Sequence, residues 1–219
     1  MVFNIVKKDF LLAKKYLPLM FIFAVIGPIY IERIVGFIGG GFLSFFITAF
    51  FIQFLLFNSI SMSEYKYKGA LYLCATPYTR TVIVKGTYLF ILTVFIISSL
   101  IYTAIASFTP TNIPLINMVN LPVPNIWTVG ISFFIITTFF GIMIPLQYQF
   151  GYENTKYMAM IFTFVTPFIL PKIVEAMQSN INLTPNSLYW SIAAYIFSLL
   201  IGLISMLIST HIYSKKDLQ

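Results

Sequence analysis

FLSFFITAFFIQFLLFNSI, residues 42–60, runs for nineteen residues without one charged side chain. As a helix it would rise about 28 Å, close to the roughly 30 Å of hydrocarbon in a bilayer. A soluble helix of that length needs a charged or strongly polar face to turn toward water, and this stretch has none to offer. The rest of the chain agrees. Of its 219 residues 59% are hydrophobic and only 9% are charged, with a mean hydropathy of +0.93, whereas an ordinary soluble domain has about 25% charged residues. The expectation is an all-α integral membrane protein.

Working outward from residues 42–60, apolar runs of similar length predict six transmembrane helices at about 17–31, 42–60, 87–108, 126–146, 158–174 and 188–210, forming one membrane domain over 1–219. Gly27-Pro28 interrupts the first run, and Pro167 with Pro171 the fifth. Proline inside a membrane helix gives a kink or an early end, tolerated where neighbouring groups satisfy the carbonyl it leaves without a donor. Lysines precede the first run, as in a secretory signal, but no small-residue cleavage site follows, so the N-terminal segment is expected to be retained.

Six crossings leave both termini on one side. Lys7, Lys8, Lys14, Lys15, Lys66, Lys68, Arg80, Lys85, Lys156, Lys215 and Lys216 all fall on that side, eleven of the thirteen basic residues. The positive-inside rule makes that side cytoplasmic. The other two, Arg33 and Lys172, each have an acid nearby, Glu32 and Glu175. Because the basic residues sit at the ends of apolar runs rather than on one soluble stripe, the net charge of +7 does not indicate nucleic-acid binding.

Two cytoplasmic segments stand out. In MVFNIVKKDFLLAKKY, residues 1–16, Phe3, Val6, Phe10 and Ala13 fall with Leu17 on one helical face and Lys7, Lys14 and Lys15 largely on the other. That predicts an amphipathic helix in the headgroup layer. EYKYKGALYLCATPYTRTVIVKG, residues 64–86, holds the densest group of charges between two uncharged runs. Thr76-Pro77 reads as an N-cap followed by proline at the first helical position, so a helix is expected to start at Pro77 and run into the third span. Arg80 then lies near a helix N-terminus, where the macrodipole disfavours a cation. Two accounts stay open. Positive charge there serves topology, and any Lys or Arg would do; or two short helices meeting at a proline corner present Tyr65, Tyr72 and Tyr78 beside Glu64, Lys68 and Arg80 to a cytoplasmic partner.

Glu64, Lys68-Gly69, the L-x-L of Leu71 and Leu73, ATPYTR and V-x-V-K at 82–85 resemble the segment between the second and third spans of ABC-2 type permeases, the membrane subunits of bacterial ABC exporters. PLQYQFGYENTKY at 145–157 is similar to that family's segment between the fourth and fifth spans, and the N-terminal stretch resembles its elbow helix. The resemblance implies that 64–86 is a coupling segment docking on an ATPase subunit through Glu64, Tyr65, Lys68, Leu71, Leu73, Pro77, Tyr78, Arg80 and Lys85. It implies two copies of that ATPase, with ATP and Mg held there, and a homodimer or a heterodimer with a sister permease. The location would be the bacterial cell membrane. The cargo would be a peptide, an antibiotic or another amphipathic substrate.

The chain itself has no G-x-x-x-x-G-K-[ST] loop to cradle a phosphate, so it is not expected to hydrolyse ATP or to hold a cofactor. One cysteine, Cys74, and one histidine, His211, make neither a redox pair nor a metal site. Gln53, Asn58, Thr103 and Thr137 are the polar span residues singled out as possible pathway lining; the alternative is that such groups only hydrogen-bond between or within helices. A second function class remains, a substrate-binding or immunity protein of the membrane that works without an ATPase.

Overall fold

The computed structural model describes residues 2–39, 41–67, 78–108, 121–157, 160–161 and 188–215. Six helices lie among them: α1 (Val2–Ala13), α2 (Leu17–Gly39), α3 (Gly41–Lys66), α4 (Arg80–Phe108), α5 (Ile126–Phe150) and α6 (Leu188–Lys215). Residues 152–157 are also helical. Five of the helices, α2 to α6, are long and apolar enough to cross a membrane. The expected fifth span, 158–174, lies outside the described residues apart from 160–161.

Residues 42–60 form the centre of the bundle. Within its membrane-length window 78% of α3 is buried, against 22% for α2 and 17% for α6, so α3 is the pillar and those two form the periphery. Phenylalanine at every fourth position makes the pillar. Phe42, Phe46, Phe50 and Phe54 stack along one face with ring centroids 6.1, 5.7 and 6.3 Å apart. Phe139 of α5 meets Phe50 edge-on at 4.9 Å, and Phe140 meets Phe57 at 5.4 Å. In lipid, apolar surface gains little by leaving its solvent, so this interlocking of rings, rather than burial as such, holds helix to helix.

Helices α5 and α6 pack through small residues. Gly130 faces Ser191 and Tyr195, Thr137 faces Gly202, and Gly141 faces Ser205. Farther along, Tyr148 meets Tyr213 with centroids 4.9 Å apart. The partner numbers rise together, so α5 and α6 run parallel. Pro145 has no N–H to give the Gly141 carbonyl one turn back. The hydroxyl of Ser205 donates to that carbonyl instead, at 2.5 Å. With its one proton committed there, Ser205 accepts from the Tyr88 hydroxyl of α4 at 2.6 Å. A proline in one helix is thus tied to a serine in a second and a tyrosine in a third.

Two boundaries differ from expectation. Helix α2 continues through Pro28 to Gly39 rather than ending near residue 31. Helix α4 starts at Arg80, not Pro77: Tyr78 and Thr79 are not helical, and the Thr79 carbonyl accepts from the N–H groups of Val82 and Ile83 at 2.9 and 3.3 Å. Local chemistry favoured Thr76-Pro77, but the first turn forms where the Arg80 side chain finds a partner on another helix, described below.

Candidate functional site

The helix ends carrying most of the described basic residues come together at one end of the bundle. Helix α1 is seated there, against α4 and α3. Its buried face is Ile5, Val6, Asp9 and Ala13, while Phe3 is 77% exposed. Val6 and Ala13 of the expected apolar face pack inward together with Ile5, while Phe3 points outward. The reason lies across the contact: Gly86 of α4 leaves a hollow that Ile5 fills, and a Cβ at residue 86 would stand 2.5 Å from Ile5 Cγ2. Ile5, Ile83, Val84 and Tyr213 form a small buried cluster, with Tyr78 packed against it. Tyr78 is thus part of a joint between α1, α4 and α6.

Two charges of the segment 64–86, Glu64 and Arg80, are also engaged. Lys8 of α1 donates to Glu64 Oε1 of α3 at 2.5 Å and lies 2.9 Å from Asp9 Oδ1. Burial pulls the Lys8 ammonium down, but the two carboxylates more than offset this and hold it above its ordinary value. Burial pushes the Asp9 carboxyl from 3.8 up to about 6 against the pull of Lys8. A small pocket reaching Asp9, Ser61, Glu64, Thr87, Gln147 and Tyr148 lies beside this pair.

The raised Asp9 value has a definite sign. Between about pH 4 and pH 6 the unfolded chain gives up the Asp9 proton while the folded chain keeps it, so stability falls as pH rises through that window and stays lower above it. The shift corresponds to something on the order of 3 kcal/mol. Thermal melting of Asp9→Asn against the parent is expected to be nearly level at pH 4 and to favour the variant by pH 7; a difference that does not change with pH would contradict the burial of a charged Asp9.

Arg80 opens α4 and reaches the other end of the chain. Its Nη1 donates to the carbonyls of Tyr213 at 3.1 Å and Ser214 at 2.9 Å, and the guanidinium lies 5.9 Å from the Tyr213 ring. These are last-turn carbonyls of α6, the negative end of that helix. The cation out of place for α4 is in place for α6.

Tyr65 packs on Tyr152 with ring centroids 5.7 Å apart and the planes tilted by 36°, and hydrogen-bonds Glu153. Tyr152 in turn donates to Asn58 Oδ1 at 3.1 Å. Residues 152–157 are turned under α3 at Gly151, whose φ of 82° suits glycine, and where an added Cβ would meet nothing within 4 Å. Lys85 is exposed and lines a cavity between α4, α5 and α6. Lys68, Leu71, Leu73 and Pro77 lie outside the described residues.

The possible pathway residues are not gathered around one cavity. Thr137 lines the α4–α5–α6 cavity. Thr103 donates to carbonyls of its own helix, Ser99 and Leu100. Asn58 holds Tyr152, and Gln53 is 2% exposed in the core with neither amide atom hydrogen-bonded among the described residues. Asp9, Thr87, Tyr88, Tyr148 and Tyr213 also take part in these contacts, and their roles are not evident from the sequence around them. For Tyr88 and Tyr213 a signal existed in α6, where Ser191, Ser198, Gly202, Ser205 and Ser209 repeat at spacings of seven, four, three and four, a seam for close packing.

A family model described as ABC-2 family transporter protein matches residues 4–214. No curated protein and no solved structure matches the chain.

Proposed function

We propose, from the premise that this chain belongs to the ABC-2 family of transporter permeases, that it is the membrane subunit of an ATP-driven exporter. The family supports a multi-pass membrane permease and an association with an ABC ATPase in general. The finer reading has six crossings, with the cationic end cytoplasmic by the positive-inside rule. Two ATPase subunits, holding ATP and Mg, dock on that end. Two permease copies, identical or sister chains, form the path between them. The cargo is a peptide, an antibiotic or another amphipathic substrate. Helix α1 serves as the elbow and 64–86 as the coupling segment.

One observation carries this reading. Residues 64–86 are fastened on both flanks, at Glu64 to α1 through Lys8 and at Arg80 to the last turn of α6. A push on the segment between those flanks reaches α1, α3, α4 and α6 together, which is what rigid-body motion driven by ATPase closure needs. A solvated loop kept only for topology has no use for two such anchors.

The test is co-purification of the full chain with the ATPase subunit produced beside it, in mild detergent. The parent is expected to retain the ATPase, and Lys68→Glu to lose most of it while still folding into the membrane. An ATPase that never accompanies the chain, together with unchanged activity in that variant, would favour the ATPase-independent class.

A further inference from the structure

A cavity of about 290 Å³ lies between α4, α5 and α6. Leu199 and Leu203 of α6, 51% and 54% exposed, are among its lining residues, and so is Lys85, in the second turn of α4. On α5 the lining runs from Ile144 back to Phe133, about 16 Å along the helix axis. The cavity is therefore an elongated slot that starts at the cationic end and runs toward the middle of the membrane.

Its chemistry is divided. Two of the three hydroxyl groups along the slot already have partners: Tyr88 is bonded with Ser205 and Ser209, at 2.6 and 2.8 Å, and Ser198 donates to the Tyr195 carbonyl at 2.8 Å. The remaining walls are Leu, Ile, Phe and Met, with Thr137 and two glycines. A polar group placed deep in the slot would lose its hydrogen bonds to water with little in return. At the mouth, Lys85 has no ion-pair partner among the described residues. The slot thus asks for a long apolar body with one negative charge at the cationic end.

We propose that the slot seats one acyl chain of an anionic phospholipid from the leaflet at the cationic end, with the Lys85 ammonium on its phosphate. A headgroup with net negative charge gains from Lys85, whereas a zwitterionic headgroup sets its own ammonium against it; a single lysine near the surface sets the preference at about fivefold. The chain contributes according to the CH₂ groups that leave the looser bilayer for fitted walls. The site depends only on the chain crossing a membrane, and would stand if no ATPase bound it.

The test uses the full chain in vesicles containing phosphatidylglycerol or phosphatidylcholine that carries a photoreactive group midway along one acyl chain. Crosslinks to residues 89–92, 133–144 and 199–206 are expected about fivefold more often from phosphatidylglycerol. Lys85→Glu should abolish that preference, and Leu203→Trp, which fills the slot from its exposed rim, should lower both yields. Crosslinks on the exposed face of α2 should not change. Should Lys85→Glu fail to fold, the two headgroups on the parent chain decide alone. Equal yields from both lipids on the parent would overturn the site, and so would crosslinking of the slot to a second copy of the chain or to a transported peptide in place of lipid.

Discussion

Gly86→Leu is expected to unseat α1 and to remove transport almost completely. Even a bare Cβ at residue 86 stands 2.5 Å from Ile5 Cγ2 and 2.9 Å from Ile5 Cβ, so a leucine there cannot coexist with Ile5 in its hollow. Overfilling a packed contact costs about 1–3 kcal/mol, and more where the backbone has to yield. Here yielding means that α1 lifts away, which also separates Lys8 from Glu64. The partner substitution makes the claim specific. Ile5→Ala should itself destabilise, by about 2 kcal/mol or more as a buried isoleucine, yet Ile5→Ala with Gly86→Leu should melt at a higher temperature than Gly86→Leu alone. Simple additivity of the two changes would show that Ile5 and Gly86 do not share the contact.

Arg80 is the second position where a large effect is expected, and it separates the two accounts of the charges at 64–86. If positive charge served topology alone, Arg80→Lys would be silent. With Arg80 Nη1 bonded to both the Tyr213 and Ser214 carbonyls and the guanidinium 5.9 Å from the Tyr213 ring, lysine keeps the charge but loses the planar group that fixes the direction of both N–H bonds and rests against the ring. Arg80→Lys is expected to lower transport several-fold. Arg80→Glu, which sets a carboxylate against the negative end of α6, is expected to lower it more than tenfold and to destabilise by about 1–2 kcal/mol, the contact being partly open to solvent. ATP hydrolysis measured beside transport shows where the loss falls: the ATPase should continue to turn over without moving cargo. A variant in which Arg80→Lys transports like the parent would leave topology as a sufficient account.

The helices were legible because their signal is long: nineteen uncharged residues at 42–60 admit one reading in lipid, and α3 is the buried pillar. The grouping of basic residues at one end was legible for the same reason, since charges are confined to the ends of such runs. The pairing of those charges was not. Glu64 with Lys8 spans 56 positions, and Arg80 with Ser214 spans 134. No local pattern encodes contacts of that kind. The start of α4 shows how a tertiary contact overrides a local one, since Thr76-Pro77 has the better cap chemistry but Arg80 has the carbonyls of α6. The seating of α1 is similar: its apolar spacing allows Phe3 or Ile5 inward, and the hollow at Gly86, eighty-one residues beyond Ile5, receives Ile5. For Gln53, buried in the Phe-rich core with no hydrogen-bond partner among the described residues, neither the sequence nor the structure supplies a reason.

The central claim is that the segment between α3 and α4 lies in the cytoplasm and is gripped there by an ATPase subunit. Cys74, the only cysteine, lies within that segment, so the native chain carries its own reporter. A membrane-impermeant maleimide should label Cys74 in inverted vesicles holding the permease alone, should label it far less once the ATPase subunit is bound, and should leave it unlabelled in intact cells. Labelling in intact cells, or labelling in inverted vesicles that the bound ATPase does not alter, would contradict the account.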